Sequence, residues 1–66
     1  MIKNNQNINE INRNLQLINE NLQLINTTFN NVQGNEIPES QITKIQIFLN
    51  NIIYSTNNIK ETIEKG

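Results

Sequence analysis

Six glutamates, Ser40, Ser55 and Tyr54 are the side chains here whose types suit acid–base or nucleophilic chemistry. The chain has no His, Cys or Asp. Glu10, Glu20, Glu36, Glu39, Glu61 and Glu64 are spread along the sequence. No two share an apolar segment of the kind that pushes a carboxyl pKa toward a catalytic range. A serine nucleophile needs a base to take its proton, and no His exists to serve Ser40 or Ser55. Tyr54 stands among Ile47, Phe48 and Ile53, a setting for packing with the hydroxyl at a rim. Gly34 and Gly66, the only glycines, cannot build a phosphate loop. These residues predict no catalytic site, no cofactor and no small-molecule substrate. Without Cys or His, disulfides and the usual zinc sites are excluded.

What the sequence does organise is apolar spacing. Ile8, Leu15, Leu22 and Phe29 recur every seven residues, and Ile11, Ile18, Ile25 and Val32 do the same. Their alternating three- and four-residue steps are the signature of helices packed side by side. The segment Asn14-Leu-Gln-Leu-Ile-Asn-Glu20 repeats almost unchanged as Asn21-Leu-Gln-Leu-Ile-Asn-Thr27. A second ladder follows, with Ile42, Leu49, Thr56 and Ile63 on one rail and Ile45, Ile52 and Ile59 on the other. Thr56 interrupts that rail as a register marker or a tolerated small polar residue.

The punctuation between the ladders predicts a turn. Gly34 stands where a glycine in the left-handed conformation closes a helix. Pro38 suits a first helical turn, and Glu36 and Glu39 complement the helix dipole there. The expected elements are a helix from about Asn7 to Gln33, with a start as early as Ile2 left open, a turn at 34–37, and a helix from Pro38 to about Glu64. Lys60–Glu64 and Glu61–Lys65 have the supportive i,i+4 spacing. So short a connection makes the helices antiparallel. A β-hairpin across Ile45–Leu49 and Ile52–Tyr54, turning at Asn50-Asn51, is the competing reading. It breaks the rail through Ile59 and Ile63.

The fold class is therefore all-α: an antiparallel two-helix coiled-coil hairpin in a single domain spanning 1–66. Its expected core is Ile8, Ile11, Leu15, Ile18, Leu22, Ile25, Phe29, Val32, Ile42, Ile45, Leu49, Ile52, Ile59 and Ile63. Sixty-six residues rarely bury enough surface to stand alone. Apolar residues also lie off the rails: Leu17, Leu24, Ile47, Phe48, Ile53 and Tyr54. One facing helix cannot cover them as well, so they are the expected partner interface. Leu at two positions of one rail and Ile at three of the other favours four strands in parallel coiled coils. The hairpin is expected to be completed to a four-helix bundle by dimerisation or by a partner protein.

Composition narrows the function further. Asn and Ile dominate, which fits an A+T-rich coding sequence or an Asn-rich disordered tract. Disordered tracts do not hold apolar residues in register over four heptads. Each interior Asn costs about 0.6 kcal/mol of helix propensity relative to Ala, so these helices depend on packing. The net charge of −1 with scattered Lys and Arg leaves no footprint for nucleic acid. No apolar run suits a membrane span or a secretory leader. The Asn26-Thr27-Thr28 sequon reads as chance in so Asn-rich a chain. The expected role is a non-catalytic, intracellular coiled-coil protein, cytoplasmic or nuclear, that acts as a structural or adaptor subunit. The alternative is a homodimeric regulator that sequesters a partner helix.

Overall fold

A computed structural model describes residues 5–32 and 34–65. Helix α1 spans Asn5–Asn30 and helix α2 spans Glu39–Lys65. They pack along each other as an antiparallel hairpin, 50 Å long and 14 Å by 13 Å across. Helix α2 runs unbroken through Asn50 and Asn51, so the β-hairpin alternative does not hold. A start of α1 before residue 5, and an end at Gln33, concern residues outside those described; the helix itself stops at Asn30.

The two helix ends differ from expectation in a physically simple way. Helix α1 closes by tightening: Asn31 N–H donates to the Thr27 carbonyl at 3.1 Å and also to Thr28, and Val32 N–H donates to Phe29. Such i→i−3 bonds satisfy terminal carbonyls without a glycine. Gly34 does take φ +86°, but it does so inside the connection, four residues beyond the last helical residue. Pro38 stands just outside α2 rather than in its first turn. Its carbonyl accepts from the N–H groups of Gln41 and Ile42 at 3.0 and 3.1 Å, as a capping residue's does. Glu39 supplies the negative charge at this end, and Lys65 the positive charge at the other. Lys60 and Glu64 approach to 4.0 Å on the exposed surface, a contact of little energetic weight.

The seam between the helices is the unexpected part. Among the described residues no apolar side chain is fully buried; the four buried residues are Asn21, Thr28, Ser55 and Thr62. Ile11, Ile18, Ile25 and Val32 of the expected core are half-buried in the seam, as are Ile45, Ile52 and Ile59. The other half of the expected core is not there. Ile8, Leu15, Leu22, Phe29, Ile42, Leu49 and Ile63 are 41–52% exposed, and Thr56 is exposed too. Their places are taken by the residues one position earlier: Asn7, Asn14, Asn21 and Thr28 on α1, and Gln41, Phe48, Ser55 and Thr62 on α2.

The reason lies in how wide the apolar arc is. Leu17 and Leu24 form its one edge, and Ile8, Leu15, Leu22 and Phe29 form the other. The Ile11–Ile18–Ile25 rail and the Asn14–Asn21 rail lie between them at 100° per residue. A single facing helix centres on the middle of that arc. The middle holds asparagines, so asparagines enter the seam and leucines flank it.

Candidate interaction surface

The polar seam is satisfied by a repeated device. The amides of Asn14 and Asn21 donate to the carbonyls of Glu10 and Leu17, four residues back in their own helix, at 2.9 and 2.8 Å. Their oxygens accept from α2: Asn58 Nδ2 to Asn14 Oδ1 at 3.3 Å, and Asn51 Nδ2 to Asn21 Oδ1 at 3.1 Å. Thr28 and Thr62 return their hydroxyls to Leu24 and Asn58 at 2.8 and 2.9 Å. No buried side-chain nitrogen or oxygen among the described residues lacks a partner. The seam therefore avoids the cost of unpaired buried polar groups.

The two Asn–Asn bridges are one heptad apart and fix the register. Carried along the helices, that register sets an apolar residue on one helix against a polar or small one on the other. Ile11 lies level with Thr62, Asn14 with Ile59, Ile18 with Ser55, Asn21 with Ile52, and Thr28 with Ile45. Among the described residues, Ile25 with Phe48 is the one seam layer apolar on both sides. The expected core did not include Asn14, Asn21, Thr28, Ser55 or Thr62. The signal that identifies them is the strict seven-residue recurrence of Asn7, Asn14 and Asn21, centred between two apolar edges.

The same register sorts what remains into two unlike faces. The Asn51 and Asn58 side carries Leu17 and Leu24. A hollow there is lined by Leu17, Asn21, Asn51, Tyr54 and Ser55. A second, open groove nearer the chain ends brings Glu10 and Glu61 together with Arg13 and Lys65. The register makes that pairing, which spacing alone did not foretell. The groove mixes both signs of charge with Asn14, Asn58 and Thr62.

The other face holds the displaced rails. Ile8 lies level with Ile63, Leu15 with Thr56, Leu22 with Leu49, and Phe29 with Ile42. Together they form an uncharged strip, apolar except at Thr56, along about 32 Å of the paired helices. Its border on α1 is Asn12, Asn19 and Asn26, again at heptad spacing. Its border on α2 is Glu39, Gln46, Ile53 and Lys60. The three charged residues of α1, Glu10, Arg13 and Glu20, all lie toward the opposite face.

The six residues expected to form the partner interface are thus separated. Leu17, Leu24, Ile47 and Tyr54 are exposed on the Asn51–Asn58 side, and Ile53 is exposed on the other. Phe48 is half-buried in the seam. Of the candidate chemical groups, Ser55 is only 3% exposed, between the helices, while Ser40 lies open in the first turn of α2. Among the described residues no three His, Cys, Asp or Glu side chains come together in a set suited to a metal ion. No helix there is long and apolar enough to cross a membrane.

No protein-family model matches the chain, and no curated protein or solved structure shows significant similarity to it.

Proposed function

We propose that this chain is a non-catalytic coiled-coil interaction protein, a small structural or adaptor subunit whose hairpin is completed by further helices. One observation carries the reading: among the described residues no apolar side chain is fully buried, yet two rails of Ile, Leu and Phe are displayed along one side. An exposed apolar surface of that extent marks an interaction site in a soluble protein. Burying it gives the helices the tertiary support that their Asn-rich composition requires.

The second reading, a self-associating regulator that sequesters a partner helix, draws on the difference between the faces. A hairpin that buries its uncharged strip against another copy still presents Leu17, Leu24, Ile47 and Tyr54, beside a polar groove, to a different helix. Both readings place the chain among proteins that act by docking.

The experiment is the folding and mass of the isolated chain, followed by circular dichroism and light scattering over a hundredfold range of concentration. Interaction through the apolar strip predicts helix content that rises with concentration, or helix that forms only with a partner. A monomer that melts cooperatively at a concentration-independent temperature overturns the reading.

A further inference from the structure

Resting on that reading, we infer that the occupant of the uncharged strip is a second copy of this chain, docked with its connecting loop at the opposite end, so that two hairpins form a four-helix bundle. Three features of the strip point to a copy of itself. The first is area. Ile8 to Phe29 covers about 32 Å at 1.5 Å per residue, and with a width of 14 Å the strip offers on the order of 450 Å², a little over half of the roughly 800 Å² per partner of specific interfaces. Every layer from Ile8 and Ile63 to Phe29 and Ile42 is apolar on both helices except at Thr56.

The second is charge. Self-docking brings a face against the same set of charges, so a strip dominated by one sign repels itself. This strip has no charge on either rail, and its α1 border is asparagine throughout. Only Glu39 and Lys60 reach the α2 border, and they are opposite in sign and at opposite ends. A foreign acidic or basic helix finds no complementary charge here, whereas the other face, with Glu10, Arg13, Lys44, Glu61 and Lys65, offers several.

The third is bulk, and it selects the orientation. Two-fold symmetry allows the loops at the same end or at opposite ends. With loops at the same end, each layer meets itself. The Phe29–Ile42 layer then crowds its own copy, and the thin Leu15–Thr56 layer leaves a void against its own. With loops at opposite ends, the Phe29–Ile42 layer meets Ile8–Ile63, and the Leu22–Leu49 layer meets Leu15–Thr56. Large against small fills the bundle evenly, as close packing requires. This arrangement also carries Glu39 toward the Lys60 end of the other copy. In either orientation every neighbouring pair of helices is antiparallel, the common topology of short-loop bundles, so bulk decides between them.

The chain has no cysteine, so one introduced thiol reports cleanly. Asn35→Cys places a nitroxide label in the exposed loop. The expected result is a particle of twice the 7.7 kDa chain mass, with the labels separated by about the 50 Å length of the hairpin. Leu22→Gln with Leu49→Gln should shift the mass to that of one chain, while Leu17→Gln with Leu24→Gln should leave it doubled. A dimer whose labels lie within about 20 Å, two helix spacings, overturns the orientation. A dimer lost in the Leu17–Leu24 variant but kept in the Leu22–Leu49 variant overturns the choice of face. A wild-type monomer that folds only with a different protein overturns the second copy and leaves the interaction reading standing. A wild-type monomer that folds cooperatively by itself overturns both. The wild-type mass and the label distance decide the matter even where a face variant fails to fold.

Discussion

Asn51 Nδ2 donates to Asn21 Oδ1 at 3.1 Å, and Asn21 Nδ2 donates in turn to the Leu17 carbonyl at 2.8 Å. One side chain thus ties α2 to the backbone of α1. Asn51→Ala leaves the Asn21 oxygen in the seam without its donor, which should cost about 1 kcal/mol. Because the device is repeated at Asn14 and Asn58, a double-mutant cycle on Asn21 and Asn51 should give a measurable coupling in urea denaturation. The pair Asn21 and Asn58, on separate bridges, should be additive within error.

Ile18 and Leu22 are one turn apart and should respond differently to charge. Ile18 is half-buried in the seam; Leu22 is exposed on the uncharged strip. Ile18→Asp should lower hairpin stability by about 2 kcal/mol, through an unpaired charge between the helices. Leu22→Asp should act on association instead. Melting followed by circular dichroism at two chain concentrations separates them: dilution should mimic Leu22→Asp and not Ile18→Asp.

Ser55 tests how closely the helices approach. It is 3% exposed and lies level with Ile18. Ser55→Leu forces four heavy atoms into a seam sized for two and should cost about 1–3 kcal/mol. Ser55→Ala should be tolerated. Similar midpoints for the two variants in denaturant would show that the helices can move apart at little cost.

Gly34 has φ +86° with open space where a side chain would begin. Substitution there is strained by backbone conformation, not by collision. Gly34→Val should destabilise by about 1 kcal/mol or more, and Gly34→Asn by less, because Asn tolerates the left-handed region. Equal losses in the two variants would point to some role other than conformation.

How much of this was legible beforehand depends on what a spacing rule counts. Both helices, the turn around Gly34 and Pro38, and the Ile11–Ile18–Ile25 rail follow from apolar periodicity and two punctuating residues. The face that meets the partner helix does not. A rule that scores Asn14 and Asn21 as polar sends them to the surface and chooses Leu15 and Leu22 as their neighbours' companions. The geometry answers to the centre of the whole apolar arc, and Leu17 and Leu24 move that centre by half a step. Leu17 and Leu24 fall off the rails only when the seam is centred one residue too far along.

The absence of a fully buried apolar side chain among the described residues bears on heat as well as on shape. Exposure of apolar surface is what raises the heat capacity on unfolding, and exposure of polar surface lowers it. A hairpin closed by Asn, Thr and Ser alongside half-buried Ile should therefore unfold with a heat-capacity increment below the usual ~12–15 cal/mol/K per residue. Its own stability should fall almost linearly with temperature, without the pronounced dome of a well-buried core. Any steep curvature with temperature, including loss of helix on cooling, belongs to the step in which the Ile, Leu and Phe rails leave water.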